Sequence, residues 1–396
     1  MPKISSIGNA MPSSPIRKLM PFANAAKAEG KRVIHLNIGQ PDIDTPDIAL
    51  KELKADTRTV VEYSPSEGYA SYRDGLSNYY KGAGIDVNAD EIVVTTGGSE
   101  ALVFGFMSCM DPGDEVIIPE PFYANYRGFA QMAGVNIVPI TAKIDDGFEL
   151  PPISEFEKKI TPKTKAILIC NPGNPTGKVY APEALDNLAQ IVRDNDLYLF
   201  SDEVYREFCY DGAVAKSVLQ LDGISENVVL IDSVSKRYSM CGARIGCIVS
   251  KNKEVINTAL KFSQARLSPP IFGQLAGLEA LNTKQSYFTK VIKEYTRRRN
   301  TLVDGLNKIT GVHCPEPKGA FYCIAELPVK NTEHFCRWLL EKFHFKKTTI
   351  MLAPASGFYS ADNSVNNQVR IAYVLEVKKL KLAIKILQKG IEEYNN

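Results

Sequence analysis

The chain has 396 residues, with 47 Lys+Arg against 45 Asp+Glu for a net charge of +2. Hydrophobic residues make up 44% and charged residues 23%, a balance that excludes disordered, coiled-coil and collagen-like classes. The near-neutral charge argues against nucleic-acid and anionic-membrane partners, and the length predicts roughly two or three domains.

No signal-peptide apolar core follows Met1-Pro2-Lys3. No apolar run reaches the roughly 18 residues that span a bilayer. A cytoplasmic protein is expected. The eight cysteines form no CxxC pair and read as buried, reduced thiols. Four histidines without HxxxH or HExxH predict no metal site.

From about residue 90, β-rich runs alternate with helical patterns. The strand candidates are Ile92–Thr95, Glu115–Ile118, Asn136–Ile140, Ala166–Cys170, Leu197–Ser201, Val228–Asp232 and Gly246–Ser250. Most are continuously apolar, as a sheet buried on both faces requires. Helical patterns include Ser99–Met110, stopped by Asp111-Pro112-Gly113, and Pro182–Asn195, with Pro182 at a first helical position. This predicts an α/β fold whose large domain, residues 48–290, has a mostly parallel seven-stranded sheet sandwiched by helices. After Pro269-Pro270 a helix is expected from Lys284 to about Ile309, then short strands such as Phe321–Ala325 and Val369–Tyr373. Residues 1–47 and 291–396 are expected to form a smaller α+β domain from both chain ends. Arg297-Arg298-Arg299 reads as a solvated helix face.

Open α/β sheets bind ligands beyond the carboxyl ends of their strands, so residues just after each strand carry the functional signal. Thr95-Thr96-Gly97-Gly98-Ser99-Glu100 enters a helix and is either an anion site or a plain turn capped by Ser99. Asn171-Pro172-Gly173-Asn174-Pro175-Thr176-Gly177-Lys178 is not a Walker loop, because Val179 replaces the Ser/Thr. Its prolines and glycines make a rigid loop that aims Asn174. Asp202, in Ser201-Asp202-Glu203-Val204-Tyr205, ends an apolar strand where a carboxylate needs a cation. Tyr205 can project toward the same ligand. Lys236 lies just past Val228–Asp232, deep enough for its amine to act as a nucleophile. Ser233, Ser235 and Arg244 suit a phosphate, and the alternative for this stretch is a surface loop with ordinary basic residues, which each residue taken singly more often means. Imine-forming lysine, phosphate cradle, carboxylate and phenol together describe pyridoxal 5′-phosphate.

The ordered set NPTG, SDEVY and SxSK resembles fold-type I pyridoxal phosphate-dependent aminotransferases of the class I/II aspartate and aromatic group. The resemblance runs from Leu36-Asn37-Ile38-Gly39-Gln40-Pro41-Asp42 to Val369-Arg370-Ile371-Ala372-Tyr373. It implies that Lys236 forms the internal aldimine and moves the proton between the substrate Cα and the cofactor. It implies that Asp202 pairs with the pyridinium nitrogen, that Asn174 and Tyr205 bond the 3′-oxygen, and that Tyr123 stacks on the ring. Gly98, Ser99, Glu100, Ser233, Ser235 and Arg244 would hold the phosphate. Tyr63 would reach the phosphate of a neighbouring subunit, giving a homodimer with shared active sites. Arg370 would grip the substrate α-carboxylate, assisted by Asn174 and the Gly39 backbone.

Departures from the pattern bear on substrate choice. Ala243 stands where many relatives have Trp, and the arginine that clamps dicarboxylates in one subgroup would fall near Leu275. Arg17 is a candidate contact to the substrate side chain, or an ordinary exposed arginine. The implied reaction is ping-pong transamination between an L-amino acid and a 2-oxo acid, within cytoplasmic, biosynthetic amino-acid metabolism. The alternative is a carbon–sulfur β-lyase or an acyl-transferring synthase on the same cofactor. A cofactor-sensing regulator is disfavoured, because the resemblance already begins by Leu36.

Overall fold

The computed structural model describes residues 2–360 and 365–396. Seven strands form the central sheet: β1 (Ile92–Thr95), β2 (Glu115–Glu120), β3 (Asn136–Thr141), β4 (Thr164–Cys170), β5 (Tyr198–Asp202), β6 (Val228–Ser233) and β7 (Gly246–Val249). Their order is β1-β7-β6-β5-β4-β2-β3. Strand β7 is antiparallel to both neighbours, and the other pairs are parallel. Each strand lies where an apolar run predicts it, within two residues.

The runs are continuous because both faces are covered. In β6, Val228 and Leu230 join a core with Tyr72, Tyr80 and Ala276, while Val229 and Ile231 join Leu102, Phe106 and Val255 on the opposite face. The period-2 alternation therefore separates two apolar cores rather than core from water.

One expected helix start is corrected. The helix after β1 runs Gly97–Cys109 with Thr96 at its cap position, so Ser99 is not the cap. Strand and helix join without an intervening turn, and Glu100 Oε2 accepts from the Thr96 N–H at 2.7 Å.

Another core draws on both ends of the sequence, with Leu19, Ala23, Ile34 and Leu36 packed among residues such as Phe335, Ile350 and Leu380. The strand Arg32–His35 pairs in parallel with Thr348–Met351. Tyr322–Glu326 pairs antiparallel with Gln368–Ala372, opposing Arg370 to Ile324.

The arginine triplet is also corrected. It lies on the helix Gln285–Leu306, where only Arg297 is exposed. Arg298 and Arg299 are 6% and 1% exposed. Arg298 pairs with Asp42 at 2.5 Å and Glu294 at 2.8 Å, and Arg299 with Asp211 at 2.6 Å. Successive helical residues turn by about 100°, so three in a row cannot share one solvent face. The cysteines depart in part as well: all are free thiols, but Cys109, Cys209 and Cys241 are only half-buried.

Candidate active site

The carboxyl ends of β5 and β6 open into a cavity of about 440 Å³ that also takes residues from the chain's N-terminal segment and from Gln368–Ala372. Among the described residues, four cationic side chains line it (Arg17, Lys236, Arg244 and Arg370) against one carboxylate, Asp202. Four minus one leaves three positive charges, which a phosphate of about two negative charges and one carboxylate would balance.

Asp202 ends β5 and is 6% exposed. Its carboxylate accepts from Tyr126 Oη at 2.8 Å and from the Val204 N–H at 3.4 Å. Burial nevertheless pushes the carboxyl up to about 6, against the pull of these bonds and of Lys236. A protonated ring nitrogen is the partner that would reverse this.

Lys236 lies on the four-residue helix Val234–Arg237, directly after β6. Ser233 caps that helix, its hydroxyl accepting from the Ser235 N–H at 3.1 Å. Lys236 Nζ donates to Gly39 O at 3.0 Å and stands 3.7 Å from Cys241 Sγ.

Ser99, Ser233, Ser235 and Arg244 line the same cavity, as does Gly98 in the first turn of the helix Gly97–Cys109. Glycine is required at 246 because a Cβ there would stand 2.6 Å from Gly97 C and 2.7 Å from Gly98 N. Arg244 adopts φ 53°, a left-handed conformation that costs an L-residue about 1 kcal/mol. From it, the guanidinium reaches Thr96 O at 3.3 Å and Cys241 O at 3.0 Å.

Arg370 is 1% exposed. Nη1 donates to Asn174 Oδ1 at 3.2 Å, Nη2 to Asn37 O, and the buried Nε has no partner. The Tyr322 and Phe358 rings flank the guanidinium at 4.7 and 4.8 Å. No carboxylate forms an ion pair with it among the described residues, so a buried cation awaits an anion. Burial draws the guanidinium below its usual value.

Tyr205 Oη lies 3.0 Å from Tyr322 Oη, and burial drives its phenol far above the usual value, keeping it a proton donor. Tyr123 lines the cavity, and its Oη accepts from Asn125 Nδ2 at 2.8 Å. Gly98 and Gly39 line it too. A Cβ on Gly39 would collide with the Tyr322 hydroxyl.

Two candidates lie off the cavity lining. The Glu100 carboxylate turns to Arg266 at 3.0 Å, leaving only its backbone for a ligand. Tyr63 is 77% exposed, in a stretch without regular structure. The structure adds residues that sequence reasoning missed: Tyr126, which follows Tyr123 by three positions, Tyr322, Asn37 and the thiol of Cys241.

The donors and the unpaired buried charges fit pyridoxal 5′-phosphate. Comparisons with known proteins agree. Residues 31–387 match the family described as aminotransferase class I and II. Over 389 residues the chain is 33% identical to an aspartate aminotransferase of Pyrococcus horikoshii, covering 96% of this chain and 95% of that protein. It is 31% identical to aromatic-amino-acid aminotransferase 2 of Thermococcus litoralis, covering 96% of each. A crystal structure of the aspartate aminotransferase of Rhizobium meliloti superposes with a TM-score of 0.91 at 30% identity, covering 99% of both chains.

Proposed function

This chain belongs to the aminotransferase class I and II family, whose members use pyridoxal 5′-phosphate to move an amino group from an amino acid to a 2-oxo acid, and we propose that Lys236 carries the proton in that reaction. The family match favours transamination over carbon–sulfur lyase or acyl-transfer chemistry.

When bound, the cofactor supplies an electron-withdrawing ring that stabilises negative charge at the substrate Cα. Asp202 holds a proton at the ring nitrogen. Asn174 Oδ1 accepts from Arg370, which leaves Nδ2 as the donor that, with the Tyr205 hydroxyl, would hold the cofactor's ring oxygen. Tyr123, which lines the cavity, would stack on the ring. Ser99, Ser233, Ser235, Arg244 and the N–H groups of Gly98 and Glu100 bind the phosphate. Arg370 receives the α-carboxylate in its fork, with Asn174 and the Gly39 backbone alongside. Lys236 Nζ, which lines the cavity, would take the proton from the substrate Cα and hold it for return. Arg17, exposed and lining the cavity, would meet the substrate side chain.

The observation that carries this reading is Arg370: a buried guanidinium with no carboxylate partner among the described residues, in the same cavity as Lys236 and Asp202. Exposed Tyr63 supports a homodimer in which it would reach the partner's phosphate, the eight free thiols support a cytoplasmic setting, and the family match supports a role in amino-acid biosynthesis. Residues 48–290 serve as the cofactor domain, and residues 1–47 with 291–396 as the smaller one. Mixing the loaded enzyme with single amino acids tests the reading. One equivalent of 2-oxo acid should form as the cofactor gains the amine. Release of pyruvate and thiol without that gain would overturn it.

A further inference from the structure

Asp202, the last residue of β5, and Asp232, the last but one of β6, lie on opposite faces of the sheet. Asp202 opposes Ile231 in the ladder and faces the cavity. Asp232 follows Val228 and Leu230 on the other face and is 1% exposed. It is held there by Tyr80 Oη at 2.9 Å, its neighbour's Ser233 N–H at 2.7 Å, Arg206 Nη2 at 3.4 Å and Arg237 Nη2.

Arg237 is the residue after Lys236 and is 1% exposed. Besides Asp232 it pairs with Glu207 at 2.9 Å, and its guanidinium lies 4.1 Å from the Tyr79 ring centre. Arg206 also pairs with Glu203 at 2.9 Å. Tyr72, Tyr238 and Cys247 complete the groups around Asp232. A helix of four residues cannot hold itself, since nucleation outweighs the few bonds it forms. Its direction must come from its ends: the Ser233 cap at one and Arg237 at the other.

We infer that Arg237 is a positioning residue for the reaction, fixing Lys236 from behind the sheet and holding the charge of Asp232 off the Asp202 carboxylate. This rests on the roles assigned to Lys236 and Asp202 above. Lys236 and Arg237 are successive on the short helix and diverge by about 100°, Lys236 lining the cavity and Arg237 pairing with the buried Asp232, so the buried ion pair orients the amine. Asp232 is among the groups that raise Asp202, which otherwise meets Tyr126, Val204 N–H and Lys236. Arg206 and Arg237 offset that charge, holding the Asp232 carboxyl below its ordinary value.

The test is the pH titration of the visible absorbance of the loaded enzyme. Removing the cation in Arg237→Gln leaves Asp232 less compensated, so the Lys236-linked colour change should move up by about one pH unit. Asp232→Asn should move it down, and the double variant should return toward the wild-type midpoint. The kcat of Arg237→Gln should fall about tenfold or more, with the amino-acid KM little changed. If Arg237→Gln does not fold, Tyr80→Phe, which removes one donor to Asp232, should give a smaller upward shift. Wild-type midpoints in Asp232→Asn and in either of those variants would overturn the role of Arg237 alone. A colour change that persists in Lys236→Ala would overturn the assignment beneath it as well.

Discussion

The guanidinium of Arg370 stands 4.7 Å from the centre of the Tyr322 ring, and the Tyr322 hydroxyl stands 3.0 Å from that of Tyr205. One aromatic side chain thus touches both the group that would bind the substrate carboxylate and the phenol that would face the cofactor.

Arg370 is held for binding at the expense of stability. Replacing a buried, unpaired cation by an apolar group of similar size is stabilising, so Arg370→Met should raise the melting temperature of the cofactor-free protein, by roughly 1–2 kcal/mol of stability. Its amino-acid KM should rise about a hundredfold, from the loss of a bidentate charge pair. Calorimetry and steady-state kinetics on one preparation check both. A drop in stability would show that Arg370 holds the fold.

Asp202 sets a pH dependence whose sign follows from its environment. Its folded value of about 6 lies above the unfolded 3.8, so the stability it contributes is present below pH 3.8 and lost as pH rises through 6. Without cofactor, Asp202→Asn should exceed the wild type by roughly 2–3 kcal/mol near pH 8 and match it near pH 4. Loading the cofactor should reverse the order at neutral pH. Urea unfolding across that range is the measurement.

The arginine triplet divides sharply. Arg299→Ala removes a buried guanidinium that bonds Pro317 O and pairs with the exposed Asp211, and should cost about 1–2 kcal/mol. Arg297→Ala removes an exposed partner of Glu294 and should change stability by less than about 0.5 kcal/mol. Equal effects in denaturant melts would contradict the buried geometry.

Gly246→Ala should loosen the phosphate end of the site without touching a ligand. The added methyl meets the backbone of Gly97 and Gly98, which must shift. Cofactor affinity of the apoprotein should fall about tenfold, read by equilibrium titration. An unchanged affinity would mean that the loop tolerates the shift.

Much of this was legible in the chain itself. Continuous apolar runs reveal strands buried on both faces, and position after a strand marks Asp202, Ser233 and Lys236 as residues at the cavity edge. Tyr126, Tyr322 and Cys241 were not legible, because each depends on tertiary pairing. Tyr126 comes from a covering helix, Tyr322 from a sheet outside the central one, and Cys241 from a turn folded back on Lys236. Arg298 and Arg299 were misread because a run of charge carries no direction around a helix, whereas burial does.

The central claim is that the amine of Lys236 moves the proton at the substrate Cα. Exchange of an amino acid's α-hydrogen in D2O, followed by NMR with loaded wild type and with cofactor-reconstituted Lys236→Ala, tests it most directly. The account predicts exchange in the wild type and a loss of about a thousandfold or more in the variant, with amino-acid binding retained. Exchange at the wild-type rate in Lys236→Ala would contradict it.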